Sequence, residues 1–481
     1  MERALQRLTL IHTNDIHSHF EMMSPIAAEI ANLKAAAGEE PVLLLDIGDH
    51  MDRAAVETEG TMGQANIDMI NLTGYDAITI GNNEGLTFTR EILSALYAGL
   101  QCPVVCCNIL ESATGEAPGW MKRHVILEKD SIKIGITGAT AAFASFYGLL
   151  GWEALDPEEA LREQCELLAP QVDLLIILSH LGLPADQRLA EQLQGVHAIL
   201  GGHTHHMLET PQMINGTAVC GAGKFGRYIG RLIFERAHAG TAFELVSGRC
   251  FTVDPSLTED VLAPAAALHL QHGREVLNET VAITDRELTL DTEGESPFGN
   301  LLAQAVRRFT GTSISLVNSG QLLGPLPQGT ITAGMLHALC PSPVNACIIR
   351  LKGEDIRKAL EQSRTEAFYN KEIFGYGFRG KVLGSLAVDG LKILYDPGVL
   401  PYDNGNGIAV FVGGEPLDDK AVYSVGTLDM FTFRIGYESL ADGTEPLYLL
   451  PHFLRDLLRM ELQRPGSLDE CAVLRWKNGS D

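Results

Sequence analysis

The 481-residue chain carries 36 Lys and Arg against 61 Asp and Glu, a formal net charge of −25. At 46% hydrophobic and 20% charged residues it is too apolar for disorder, and at ~100–200 residues per domain its length implies two or three domains. An acidic surface repels phosphate backbones, which excludes a nucleic-acid polymer or an anionic membrane surface; a small anionic ligand survives only if something reverses the sign locally.

The N-terminus, MERALQRLTLIHTND, enters a strand-like segment without a signal-peptide core, and no apolar run approaches the ~20 residues of a membrane span. The nine cysteines are an odd number. Three of them, Cys102, Cys106 and Cys107, crowd together without the second cluster that a zinc site needs. The expectation is a cytoplasmic protein with reduced thiols.

Short, nearly continuous apolar runs recur along the first half: LTLI at 8–11, VLLL at 42–45, AITI at 77–80, DLLIIL at 173–178 and AIL at 198–200. Such runs fit strands buried on both faces. Helical spacing at 25–37 and 156–169 alternates with them, and Asp156-Pro157 reads as an N-cap followed by Pro at the first helical position. Alternation of this kind defines a layered α/β domain. Strand-like pieces at 217–220, 227–234 and 243–251 complete it. A helix is predicted over 257–278, opened by Thr258 with Glu259 and Asp260 in its first turn, and a polar stretch at 284–296 follows as linker. The remainder mixes helices (300–309, 352–362, 451–463) with strands (313–317, 347–351, 391–395, 409–412, 421–425). The expected domains are 1–255, a connection over 256–285, and 286–481.

Each strand of the first half runs into polar, metal-ligating residue types. LTLI leads to His12-Thr-Asn-Asp15-Ile-His17 and VLLL to Asp46-Ile-Gly-Asp49-His50. AITI leads to Gly81-Asn82-Asn83-Glu84, LLIIL to Ser179-His180, and AIL to Gly201-Gly202-His203-Thr204-His205-His206. Ligands of layered α/β folds gather beyond the carboxyl ends of strands. Imidazole, carboxylate and amide oxygen suit Zn²⁺, Mn²⁺ or Fe. Asp15/His17 and His203/His205 are i, i+2 pairs, and each loop is expected to turn both members toward one shared centre.

These blocks resemble the calcineurin-like metallophosphoesterases, in particular the two-domain 5′-nucleotidase group. The likeness continues in ESPFGNLLAQAV (295–306), LVNSG (316–320), LKGEDIRKALEQ (351–362) and YSVGTLDMF (423–431). It implies an N-terminal four-layer αββα sandwich and a C-terminal α/β substrate-binding domain facing it across a cleft. It also implies two divalent metal ions (Mn, Zn or Fe): one held by Asp15, His17 and His205, a second by Asn82, His180 and His203, with Asp49 bridging. Two such ions acidify a shared water for attack on phosphorus and clamp the phosphate oxygens. Against two carboxylates they leave the site about +2, reversing the sign that the whole chain carries.

Two departures from the family pattern stand out. Its third block reads Gly-Asn-His-Glu followed by an Asp; here Asn83 replaces the His and Gly85-Leu86 follows. Asn donates a hydrogen bond but delivers no proton, so leaving groups that need little protonation, such as a phosphoanhydride or aryl phosphate, are favoured. His19, His50, His206 and Glu84 stand near the ligand positions; Asn83 and His50 are the catalytic candidates. In the second half Leu323 falls where the family has a substrate-holding Arg, and Ser385 where it has one of two base-stacking rings. Asn318, Gly320, Arg379 and Tyr437 are the candidate substrate contacts, with Phe374, Tyr376 and Phe378 near Arg379. The GxGxxG match at 375–380 precedes a strand-like KVLGSLAV, which excludes a dinucleotide-binding turn.

The expected activity is metal-dependent hydrolysis of a small phosphate ester or anhydride, by a hydroxide shared between the ions, with a nucleotide or nucleotide-sugar among the candidate substrates. A reading of another class is a catalytically weak metal- and phosphate-binding sensor or partner-binding protein. The missing His favours it and the seven filled ligand positions oppose it. The sequence carries no sign of oligomeric state.

Overall fold

The computed structural model describes residues 5–238, 240–396 and 407–479, which form two compact units, Met1–Val276 and Leu277–Asp481. The first unit contains two large sheets. The seven-stranded one runs Glu244–Thr252, Tyr228–Arg236, Gln6–Thr13, Val42–Asp46, Ala77–Ile78, Val104–Val105, Met121–Lys122. It is parallel from Gln6–Thr13 onward and antiparallel at its other edge. The six-stranded one runs Gln212–Ile214, Thr217–Gly221, Ala198–Gly201, Leu174–His180, Ile132–Thr140, His124–Lys129, parallel in its middle and antiparallel at both edges.

The continuous apolar runs have a direct physical reading here. On Val42–Asp46, Leu43 and Leu45 join Leu8 and Leu10 against Ile134, Ile136, Ile176, Leu178 and Leu200 of the other sheet. Leu44, pointing the opposite way, joins Ile11 and Ile78 against Ile26, Ile30, Ile67 and Ile70 of the helices Met23–Ala37 and Gln64–Thr73. On the far sheet Leu175, Ile177 and Ile199 meet Leu161, Leu168 and Leu189 of Pro157–Leu168 and Leu183–Gln192. Both parities of each strand are buried, giving four layers: helices, sheet, sheet, helices. Each fully buried Leu or Ile contributes roughly 1.5–3 kcal/mol. The expected cap is present: the Asp156 side chain accepts from Glu159 N at 2.9 Å, and Pro157 opens the helix.

In the first half, two elements differ from expectation. The hairpin His124–Lys129/Ile132–Thr140 had no apolar signature, because Gly135 and Gly138 interrupt its second strand. A Cβ on Gly138 would stand 2.7 Å from Val105 O, so glycine is required where the two sheets approach. The helix predicted over 257–278 spans Leu262–Leu277, because the Glu259 carboxylate accepts from Val261 N and Leu262 N, both at 2.9 Å, leaving Thr258–Asp260 outside.

The second unit holds a five-stranded sheet, ordered Leu386–Asp389, Ile314–Asn318, Val422–Leu428, Asn345–Lys352, Thr444–Phe453. A four-stranded sheet is ordered Glu415–Pro416, Ile408–Val412, Leu391–Tyr395, Trp476–Asn478. The helix Pro297–Thr310 packs its apolar face on the larger sheet and on Leu454–Leu462. The stretch expected as linker starts later than the strand Thr280–Thr284, which pairs with Gly329–Thr332. The helix expected from 451 begins at Leu454, where the Asp456 carboxylate accepts from Phe453 N at 2.9 Å. All nine cysteines are free thiols. No helix among the described residues is long and apolar enough to cross a membrane.

Candidate metal centre

The carboxyl ends of Gln6–Thr13, Val42–Asp46, Ala77–Ile78, Leu174–His180 and Ala198–Gly201 lead into loops that share one region of the first unit. Their backbones leave the extended conformation at the candidate ligand positions. Asp15, His17, Asp49, His203 and His205 all have left-handed conformations, with φ of 51°, 48°, 50°, 72° and 58°. Positive φ is uncommon for residues other than glycine and costs of order 1–3 kcal/mol each, so it persists only where surroundings enforce it. The enforcement is visible: Asp15 N donates to Gly48 O (3.0 Å), His17 N to Asp49 O (2.9 Å) and Gly202 N to Ser179 O (2.9 Å). Two glycines permit the crowding. A Cβ on Gly81 would lie 2.0 Å from Asp49 Oδ1, and one on Gly202 would lie 3.0 Å from Asp15 Oδ2 and 2.9 Å from His180 Nδ1.

The side chains converge. His17 Nε2 lies 3.8 Å from both Asp15 Oδ1 and Asp49 Oδ2, and 3.2 Å from His205 Nε2. His205 Nε2 is 3.4 Å from Asp15 Oδ1, and His180 Nε2 is 3.3 Å from Asp49 Oδ2 and 4.0 Å from Asp15 Oδ1. Two triads, Asp15–His17–His205 and Asp15–Asp49–His180, each place one donor atom per residue within 4.8 Å of the others. Asp15 is held by Asn14 Nδ2 (2.7 Å) and His203 N (3.1 Å), and Asp49 Oδ1 by Asn83 N (2.8 Å).

The donor atoms fit metal ions. His180 Nδ1 meets Ile47 O at 2.8 Å, which in the neutral imidazole places the proton on that nitrogen and leaves Nε2 as a lone pair; this Nε2 and Asn82 Oδ1 are buried without a hydrogen-bond partner. The electrostatics point the same way. Burial opposes charge on His180, yet Asp49 and then Asp15 push its pKa up to about 10. Burial likewise opposes charge on His17, but the Asp52 hydrogen bond and the charges of Asp49, Asp52 and Asp15 raise its pKa. Burial also opposes charge on Asp49, and the His180 and His17 cations hold it below the usual carboxylate range. The pocket therefore favours positive charge, which divalent ions supply with the imidazoles neutral. His203, lowered to about 4 by burial and then by His180, is available as a neutral ligand; its ring centre is 5.3 Å from that of His180.

Other residues take supporting places. Asn83 Nδ2 lies 2.9 Å from His17 Nδ1 and donates to Met51 O at 3.1 Å. His50 is buried with Nδ1 3.2 Å from Asn66 Nδ2, and burial lowers its pKa to about 3, which disfavours the imidazolium form. Glu84 is a staple: its carboxylate accepts from Gly81 N (2.8 Å), Asp49 N (3.1 Å) and Met51 N (2.8 Å). Asp52, absent from the sequence-based set, sets Oδ2 3.4 Å from His17 Nδ1, the position of a carboxylate that orients a ligating imidazole. Asn14 was also missed, since nothing in HTND distinguishes a ligand from the amide that holds it. In the second unit Asn318 is fully buried and donates to Leu383 O at 2.7 Å. Gly320 packs where a Cβ would meet Val382 O at 2.0 Å, and Arg379 N donates to Ser342 Oγ at 3.1 Å. Tyr437 is 0% exposed, with its hydroxyl on Gly384 O (2.7 Å) and its ring stacked on Phe368 at 5.7 Å. That burial leaves no ring face for a base, contrary to its candidacy as a substrate contact.

The comparisons agree with this architecture. The calcineurin-like phosphoesterase family matches residues 8–207, and the 5′-nucleotidase C-terminal domain matches residues 275–436. An uncharacterized metallophosphoesterase of Bacillus subtilis (strain 168), YunD, is 35% identical over 95% of this chain and 99% of its own. The 5′-nucleotidase of Rattus norvegicus is 25% identical over 87% of this chain and 81% of its own. The crystal structure of a putative 5′-nucleotidase from Staphylococcus aureus in complex with α-ketoglutarate covers 98% of this chain and 100% of its own, with a TM-score of 0.69 at 16% identity. The chain belongs to the calcineurin-like metallophosphoesterases, in the two-domain arrangement that ends in a 5′-nucleotidase C-terminal domain.

Proposed function

We propose that the protein is a two-metal hydrolase of small phosphate esters or anhydrides, with a nucleotide or nucleotide-sugar among its candidate substrates. In this reading Asp15, His17 and His205 hold one divalent ion, Asn82, His180 and His203 a second, and Asp49 bridges. The observation that carries it is the convergence of two carboxylates and several imidazoles on backbone held left-handed, with His180 Nε2 and Asn82 Oδ1 buried and unpartnered. Two divalent ions there would acidify water and neutralise phosphate oxygens.

The chain's own residues do the rest. His180 Nδ1 on Ile47 O and His17 Nδ1 beside Asp52 aim each Nε2 inward. Asn83, beside His17, holds no proton to give a departing oxygen, which favours anhydride and aryl leaving groups. The same Asn83 is the observation behind a second reading, a phosphate-binding protein with weak catalysis. The cytoplasmic placement expected from the cysteines remains part of the proposal.

Metal analysis of protein purified without chelator, with a hydrolysis screen in Mn²⁺ or Zn²⁺ over nucleotides, nucleotide-sugars and aryl phosphates, tests both readings. Turnover lost in Asp49→Asn is expected. Metal retention without turnover of any substrate would support the binding reading, and fewer than about one ion per chain would sink both.

A further inference from the structure

We infer that the loop Gly223–Arg227 forms an anion subsite beside the metal centre, which takes a second phosphoryl group of the substrate; the inference rests on the function proposed above and narrows its substrate class to diphosphates. Phe225 is the platform. Its ring meets His17 edge-on at 5.7 Å between centres and packs on His19 at 4.2 Å. Lys224 Nζ lies 4.6 Å and Arg227 Cζ 5.7 Å from the same ring centre, both within cation–π range. Neither cation forms an ion pair among the described residues. That is unusual in a chain with 61 acidic residues, where a surface cation has many partners to choose from. The carboxylate of Glu21 is engaged by His19 Nδ1 at 2.6 Å.

The loop is rigidly tied to the ligand segment. Asn14 Nδ2 donates to Gly223 O (2.7 Å), Ala222 N donates to Asn14 Oδ1 (2.9 Å), and Phe225 N donates to Asp15 O (2.7 Å). Phe225 is held at φ 63°, a strained conformation for an aromatic residue, as are the neighbouring ligands. The two centroid distances bound Lys224 Nζ to within about 10 Å of the His17 ring, about one Debye length at 0.1 M salt, so its charge is felt at the centre.

A monophosphate ester leaves this charge unmet, whereas a diphosphate meets it with its second phosphoryl group. Asn83 points to the same class from a separate observation. In hydrolysis of an anhydride the water oxygen bonds to the scissile phosphorus and the bond to the bridging oxygen breaks. That oxygen leaves with the electron pair as part of the second phosphate, and the water's proton passes to solvent. Such an anionic leaving group needs no acid.

The test is titration calorimetry of Mn²⁺-loaded protein with inorganic phosphate and with methylenediphosphonate, comparing wild type, Lys224→Ala/Arg227→Ala and the charge-preserving Lys224→Arg/Arg227→Lys. The ratio of diphosphonate to phosphate affinity should fall about 10-fold in the alanine pair and stay within about 2-fold of wild type in the charge-preserving pair. Phosphate binding with an unchanged ratio in the alanine pair overturns this inference alone. No phosphate binding by the wild type overturns the proposed function with it.

Discussion

Gly81→Ala tests the centre without replacing a titratable group. Gly81 has φ −98° and ψ −171°, a backbone that alanine adopts freely, so any effect must come from the added methyl. That methyl would stand 2.0 Å from Asp49 Oδ1 and 2.6 Å from Asp49 N. Because the second contact is backbone, rotating the Asp49 side chain does not relieve it, and the whole turn must shift. Overpacking of this kind costs about 1–3 kcal/mol. The shift also breaks the 2.8 Å bond from Asn83 N to Asp49 Oδ1, a bond to a charged group whose loss costs about 1.5–3 kcal/mol. The expected destabilisation is therefore about 2.5–6 kcal/mol, with bound metal falling at least ~10-fold, since the carboxylate leaves the place between His17 and His180. Urea denaturation of the apo-protein gives the first number and metal content after dialysis the second, with far-UV circular dichroism confirming the native fold at 25 °C. A variant that keeps both metal content and stability would refute the packing argument, and with it the assignment of Asp49 to a crowded ligand position.

Asp52→Asn removes the carboxylate beside His17 Nδ1 and should lower metal affinity about 10–100-fold in chelator competition; unchanged affinity would mean the 3.4 Å contact does not orient the ring. Asn83→His should raise turnover of alkyl phosphates relative to aryl phosphates, because only the poor leaving group needs the restored proton; equal changes for both would place the limitation elsewhere. Asp429 is buried in the second unit, where burial raises its pKa from 3.8 to about 7 against the opposing hydrogen bond from Asn345 N at 3.0 Å. A carboxyl raised in the fold is most favourable below its ordinary value, and its contribution is lost as pH climbs toward the folded value. Asp429→Asn keeps the acceptor and removes the charge, so its gain over wild type should be about 2–3 kcal/mol larger at pH 8 than at pH 5. Equal gains in denaturant melts at the two pH values would refute the shift.

What was legible in the sequence depended on whether the signal was local. Leu43, Leu44 and Leu45 announce a strand buried on both faces because each parity needs its own apolar partner, and the two cores supply them. The hairpin through Ile132–Thr140 was silent because the tight approach of the sheets demands glycine where a pattern search wants Val or Ile. At the site, ligand types after strand ends were readable. Their supports were not: Asn14, Asp52 and the Phe225 loop become neighbours of the ligands only through tertiary contacts, as when Asn14 reaches Gly223 O. Tyr437 fails for the complementary reason. An aromatic residue in a matching block reads as a stacking surface, but its ring is buried against Phe368 and Phe431, and only packing reveals that.

The left-handed backbone at the ligand positions explains why those spacings work. An extended Asp-x-His keeps both side chains on one face but carries the chain straight on, and a helical one would separate them by about 200°. With Asp15, His17, His203 and His205 at positive φ, each short loop turns both ligands inward, and the turns hold one another: His203 N donates to Asp15 at 3.1 Å and Phe225 N to Asp15 O at 2.7 Å. Asp15 is thus a ligand candidate and also the anchor of two other loops, one of which carries Lys224 and the other His203. Displacing it would disturb the metal donors and the flanking cations together. Under the proposed function, in a chain of net charge −25, these are the groups that would draw an anion in, and the strain stored at Asp15 would be the local condition under which so acidic a protein takes a phosphate-bearing ligand.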